Sequence, residues 1–144
     1  MMEYRDYYQN ALSEPMMWVR MDSDMLRDMK VRKLMRAGGF AYLGMYTALI
    51  MGLAQCDGHI YDMKDGGWDY LRADLSNGGC MVEPDELERF VATLVSVGLV
   101  DSELWMESKK LTSKRLIKEV ERNADSAAKS KMKLDAMNAA RSKK

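Results

Sequence analysis

The chain contains one histidine, two cysteines, two prolines and two phenylalanines among its 144 residues. His59 has no acidic or cysteine partners at ligand spacing, and Cys56 and Cys80 form no metal pattern, so neither a metal nor a cofactor is expected. His59 is expected to be a surface or strand residue. The cysteines leave one disulfide open, but reduced thiols in a cytoplasmic protein are the better fit. P-loop, GxSxG, CxxC and HExxH patterns are all missing. The carboxylates stand at helix starts and turns, where capping accounts for them, so an enzyme is not expected. No apolar run approaches the ~18 residues needed to cross a bilayer, and no membrane contact is expected. The opening stretch MMEYRDYYQNALSEP is charged and aromatic, without the apolar core of a signal peptide.

What the chain does have is apolar mass, at 47% of residues, and methionine, fifteen of them. That is enough for a real core, packed with flexible side chains. The formal net charge of zero hides a division. Residues 1–108 carry 10 Lys and Arg against 18 Asp and Glu, a net of −8, and residues 109–144 carry 12 against 4, a net of +8. An acidic body with a basic tail directs any polyanion to the tail and its junction with the body. The alternative is a solvated charged helix.

Along the chain, Tyr4, Tyr8 and Leu12 recur at helical spacing before Pro15, which suggests a short amphipathic arm. It packs either on a neighbour or on its own body. A helix is expected from an N-cap at Ser23, with Met25, Leu26, Met29 and Leu34 as its apolar stripe and a stop at Gly38-Gly39. Its other face carries Arg27, Lys30, Arg32, Lys33 and Arg36, either a phosphate-contacting surface or a solvated one. Phe40, Leu43, Met45, Tyr46, Leu49, Ile50 and Leu53 then mark the most hydrophobic helix. HIYDM reads as a short strand. Trp68, Leu71 and Leu75 mark a two-turn helix closed by SNGG.

The segment EPDELERFVATLVSVGLV opens with Pro84 at a first helical position, faces Leu87, Phe90, Val91, Leu94 and Val97 inward, and ends at Gly98. LVDSELWM reads as a tight hairpin, turning at Asp101-Ser102-Glu103. From Thr112 the chain is helix-forming to its end, capped by Thr112 or Ser113. Ile117, Val120, Ala124, Ala127 and Leu134 give a seam too interrupted for a strong coiled coil. The expected fold is mostly α with a small β-hairpin wing: a winged helix-turn-helix with an N-terminal helical arm (1–20), a central domain (21–111) and a long basic C-terminal helix (112–144).

Two stretches carry a family resemblance. In RDMKVRKLMRAGGFAYLGMYTALIMGLAQCDGHIYDM, the residues Asp28, Lys30, Val31, Leu34, Gly39, Gly44 and Tyr46 follow one pattern. LVSVGLVDSELWMESKKLTSKR supplies a wing followed by a helix start at Ser113 to Arg115. Over about residues 16–120 the chain resembles the N-terminal domain of phage and prophage replisome organisers, related to the N-terminal domain of the primosomal protein DnaD. The resemblance implies DNA binding in replication initiation, self-association and contacts with a helicase loader or other replisome proteins. Family members often continue through a Gly- and Arg-rich linker, whereas AAKSKMKLDAMNAARSKK is Ala- and Lys-rich.

The second helix of the expected helix-turn-helix unit is an awkward DNA reader. Its outward face shows Asp85, Glu86, Glu88, Arg89, Ala92, Thr93 and Ser96, and a net negative face repels the phosphate backbone. Arg89, Thr93 and Ser96 remain candidates for base contacts if a basic surround is supplied. That surround is Lys109, Lys110, Lys114, Arg115 and Lys118. DNA, duplex or single-stranded, is therefore expected to meet the wing and the helix after it. The alternative is a protein-interaction or oligomerisation domain without sequence-specific DNA binding, in which a −8 body meets the +8 tail of another copy.

Overall fold

A computed structural model describes residues 2–76 and 82–143. The expectations for Asn77, Gly78, Gly79 and Cys80 lie outside the described residues. The elements are α1 (Tyr4–Leu12), α2 (Met29–Gln55), β1 (Tyr61–Asp62), α3 (Gly67–Leu75), α4 (Pro84–Val97), α5 (Ser102–Ser108), β2 (Lys110–Leu111) and α6 (Lys114–Ser142). The fold is mostly helical with a small two-stranded antiparallel sheet.

α2 begins at the Asp28 cap, whose Oδ1 accepts from the Lys30 N–H at 2.7 Å, and not at Ser23. Met25–Arg27 form one 3₁₀ turn before it. Asp is among the best N-caps because its short carboxylate reaches an orphan N–H of the first turn. Gly39 breaks the helix with φ +66°, a conformation that glycine adopts at little cost. Val31 and Leu34 are buried before the break, and Tyr42, Met45, Tyr46, Leu49 and Leu53 after it. The break shifts the helical register, so the expected inward faces are partly wrong. Phe40 is 79% exposed, Leu26 and Met29 also face outward, and Tyr42 takes the inner place, meeting Phe90 of α4 edge-on with centroids 5.2 Å apart.

The sequence contains no long apolar run, yet α2 as a whole is long and apolar enough, by length and composition, to cross a bilayer. Its break at Gly39 and the complete burial of Leu34, Leu49 and Leu53 make it the core helix. α3 and α4 pack on it.

α4 follows its sequence signals. Pro84 stands in the first turn, Leu87, Phe90, Val91 and Leu94 are buried, and Gly98 ends the helix at φ +80°. The expected hairpin over Leu99–Met106 is not formed. Asp101 accepts the Leu104 N–H at 3.1 Å and caps α5 in its place. Trp105 on α5 meets Trp68 of α3 edge-on at 6.1 Å, a contact that an outward strand side chain would forgo.

The strand that pairs with β1 is β2, on the far side of α5. Tyr61 stands opposite Leu111 and Asp62 opposite Lys110, and the Met63 N–H donates to the Lys109 carbonyl at 3.0 Å. The excursion through α5 is closed by the Asp101 N–H, which donates to the Thr112 carbonyl at 2.9 Å. The Thr112 hydroxyl in turn donates to the His59 carbonyl at 2.7 Å. His59 is not a surface residue: it is 3% exposed, and its Nδ1 donates to the Leu53 carbonyl at 3.0 Å, closing the end of α2.

Ser113 caps α6, its hydroxyl accepting the Leu116 N–H at 3.3 Å. The buried row is Leu116, Val120, Ala124 and Ala128, so Ile117, Ala127 and Leu134 of the expected seam do not form it. Leu116 and Val120 belong to the core, and α1 packs along α6 where the row turns to alanine. The N-terminal arm thus docks on its own chain. The Tyr4 hydroxyl donates to Asp125, and the Tyr7 hydroxyl donates to Asp135 at 2.6 Å. From Lys133 to Lys143 every side chain is exposed.

Removing the cap in Asp101→Ala is expected to lower stability by about 1 kcal/mol, read from the midpoint of urea unfolding. A second expectation concerns alkaline pH. The bond to Asp125, and then burial, push the Tyr4 hydroxyl up to about 12 from an ordinary value of 10.0. A group whose folded value is raised holds its contribution below the unfolded value and loses it as pH climbs through the folded one. Docking of α1 should therefore weaken between about pH 10 and 12. Burial and hydrogen bonds also raise Tyr7, Tyr46 and Tyr61, so a tyrosinate absorbance titration should show a late-titrating class that loses one group in Tyr4→Phe.

Candidate nucleic-acid interface

The cation-rich start of α6 is set by the seam beneath it. Leu111, Thr112 and Ser113 are all buried, which fixes where Lys114 and Arg115 leave the body. Lys114, Lys118 and Arg122 follow at four-residue intervals and share one helix face. Across from them stands Lys30 in the first turn of α2, and its ammonium end approaches the C-terminus of α4 at Gly98. Cations are favoured there by the partial negative charge of the last carbonyls.

Between these elements lies a cleft of about 390 Å³, lined by Lys30, Lys114, Arg115, Lys118 and Arg122. Asp28 is the carboxylate in its lining, and that carboxylate is engaged in capping α2. Arg115 is drawn partly aside, with Nη2 at 2.6 Å from Asp22 Oδ2. Among the described residues the other four cations form no ion pair. Tyr46 also lines the cleft and is 5% exposed. Burial pushes its hydroxyl above the ordinary tyrosine range, Arg115 opposes that shift, and Asp28 reinforces it. Among the described residues, no hydrogen bond engages this hydroxyl.

The structure brings together three of the residues singled out by sequence, Lys114, Arg115 and Lys118. It separates the others. Lys109 ends α5 at φ +53° with its ammonium 5.1 Å from the Trp105 ring centroid, a cation–π contact. Lys110 lies in β2 opposite Asp62. Arg89, Thr93 and Ser96 lie on the outer side of α4, where the Thr93 hydroxyl donates back to the Arg89 carbonyl at 2.8 Å. Arg89 and Ser96 are exposed beside Asp85 and Glu88, and none of the three lines the cleft. Sequence reasoning missed Arg122 altogether. It placed Lys30 in a basic cluster without a partner, since only the fold brings α2 beside α6.

What this arrangement can do chemically is hold an anion. Several ammonium and guanidinium groups converge on one concave volume next to a helix N-terminus, where unpaired N–H groups also favour negative charge.

A family model described as Lin1244/Lin1753-like, N-terminal, matches residues 18–116. The match includes Lys30, Lys114 and Arg115 and ends before Lys118 and Arg122. No curated protein and no solved structure matches the chain.

If Asp22 holds Arg115 back from the cleft, Asp22→Asn should raise the salt concentration at which the protein elutes from heparin. The pair is partly exposed, so unfolding stability should change by less than about 1 kcal/mol.

Proposed function

We propose that this chain, which belongs to the Lin1244/Lin1753-like family, a phage and prophage type, is a DNA-binding module of a replication initiator of the replisome-organiser kind. It acts in the cytoplasm and holds the phosphate backbone through the start of α6. In this reading α3 and α4 take the places of the two helices of a helix-turn-helix unit. The β1–β2 ladder and α5 take the place of a wing. The observation that carries the proposal is the cleft, with five cations from two helices around one volume on a chain of zero net charge.

Affinity for nucleic acid comes largely from neutralising phosphates and falls with salt in proportion to the number neutralised. The outer face of α4, with Asp85 and Glu88 exposed, suits that task poorly. The α6 face suits it well.

A second reading has its own observation. The connector between α1 and α2 exposes Met17, Trp18 and Met21, with Trp18 at 69%. Exposed aromatic and methionine side chains are typical of protein-binding surfaces. Self-association, or docking of a helicase loader or another replisome protein, would use this surface while the basic face engages DNA or another copy's acidic body.

The joint replacement of Lys114, Lys118 and Arg122 by Ala is expected to weaken binding to duplex and single-stranded DNA. The slope of log affinity against log salt should become shallower by about 0.9 for each duplex phosphate that is no longer neutralised. Unchanged binding would remove the α6 face from the contact, and no DNA binding by the unmodified protein at low salt would leave the protein-docking reading in its place.

A further inference from the structure

The cleft differs from an open basic face in two respects. Its charge converges: five cations line about 390 Å³, with Asp28 as the carboxylate among them. An internal phosphodiester carries a single negative charge, and a duplex backbone is met by a spread of cations along its length. So dense a cation set suits a group with more than one charge. A phosphomonoester carries about −1.5 to −2 at neutral pH and offers three strong acceptor oxygens.

The second respect is Tyr46. Its side chain is 5% exposed and borders the cleft, and its hydroxyl has no partner among the described residues. Among the described residues no buried side-chain polar atom lacks a partner, so this hydroxyl is one that solvent reaches, and its donor is open to a ligand. A donor left free at the wall of a cationic cleft is matched by an acceptor oxygen of an anion seated there.

We propose that the cleft between α2, the end of α4 and the start of α6 is a binding site for a phosphomonoester, with Lys30 and the Tyr46 hydroxyl as contact residues. The ligand in view is the terminal phosphate of a DNA strand. This rests on the reading of α6 as a nucleic-acid contact, but it adds a preference for strand ends. Lys30 holds one side of the phosphate, Lys114 and Lys118 the other, and the Tyr46 hydroxyl donates from the wall. Arg115 is shared between the cleft and Asp22.

The test compares a short single-stranded oligonucleotide with and without a 5′-phosphate, and a deoxynucleoside 5′-monophosphate as competitor, on the full chain. The phosphorylated strand should bind about tenfold more tightly, the scale of one charge-assisted contact. Lys30→Ala should abolish that preference. Tyr46→Phe, which keeps the ring, should reduce it, with thermal unfolding confirming that the variant is folded. Lys109→Ala, outside the cleft, should leave it intact.

Equal affinity for both strands overturns the proposal while the DNA-binding reading survives. A preference unchanged in both Lys30→Ala and Tyr46→Phe also overturns it. Binding of the mononucleotide that needs Lys30, without binding of either oligonucleotide, upholds the phosphomonoester site and removes the DNA-binding reading.

Discussion

The arrangement depends on one small seam, where the chain re-enters the body between β2 and α6. Leu111 pairs with Tyr61, the Thr112 carbonyl receives the Asp101 N–H, the Thr112 hydroxyl reaches His59, and Ser113 caps α6. Three buried residues thus tie together the end of α2, the start of α5 and the start of α6. His59 extends the tie to the last turn of α2 through Leu53. Backbone polar groups taken out of water must find partners, and here each partner is supplied by a different element. The seam therefore fixes the direction in which α6 leaves the core. That direction sets Lys114 and Lys118 opposite Lys30, although Lys30 is far from both in sequence.

The charge pattern acquires meaning through that placement. A basic tail on an acidic body would by itself be a solvated helix or a sticky extension. Here Leu116 and Val120 keep the first turns of α6 in the core, while α1 covers Ala124 and Ala128 further along. The cations from 114 to 122 are thereby held on a rigid element beside α2, and the side chains from 133 to 143 are left in solvent. The body remains net negative elsewhere, which narrows where a polyanion can approach. The same division leaves Met17, Trp18 and Met21 exposed.

Much of the fold was legible, because several signals act locally. Pro84 and Gly98 bracket α4, and Ser113 caps α6, since capping depends on residues within one turn. Among the features that were not legible, two show the reason most clearly. The stretch after Gly98 reads equally as a hairpin or as a short capped helix, for Asp101-Ser102-Glu103 serves both. What decides is Trp105 against Trp68, a tertiary contact that no local pattern contains. The inward face of α2 was misread because Gly39 resets the register, and a single helical period carried through it puts Phe40 where Tyr42 lies. At the candidate site, charge density revealed Lys114, Arg115 and Lys118. Lys30 and Arg122 required the topology, and Lys109 was drawn away by its contact with Trp105.

Amide hydrogen exchange across residues 59–63 and 99–116 tests the seam most directly. The account predicts that the amides of Asp101, Met63, Trp105 and Lys109 exchange slowly and together, because their acceptors lie in one cooperative unit, while those from 133 to 143 exchange far faster. Exchange of the Asp101 and Met63 amides at the rate of the exposed end of α6 would contradict it. It would mean that the seam does not fix how α6 leaves the body.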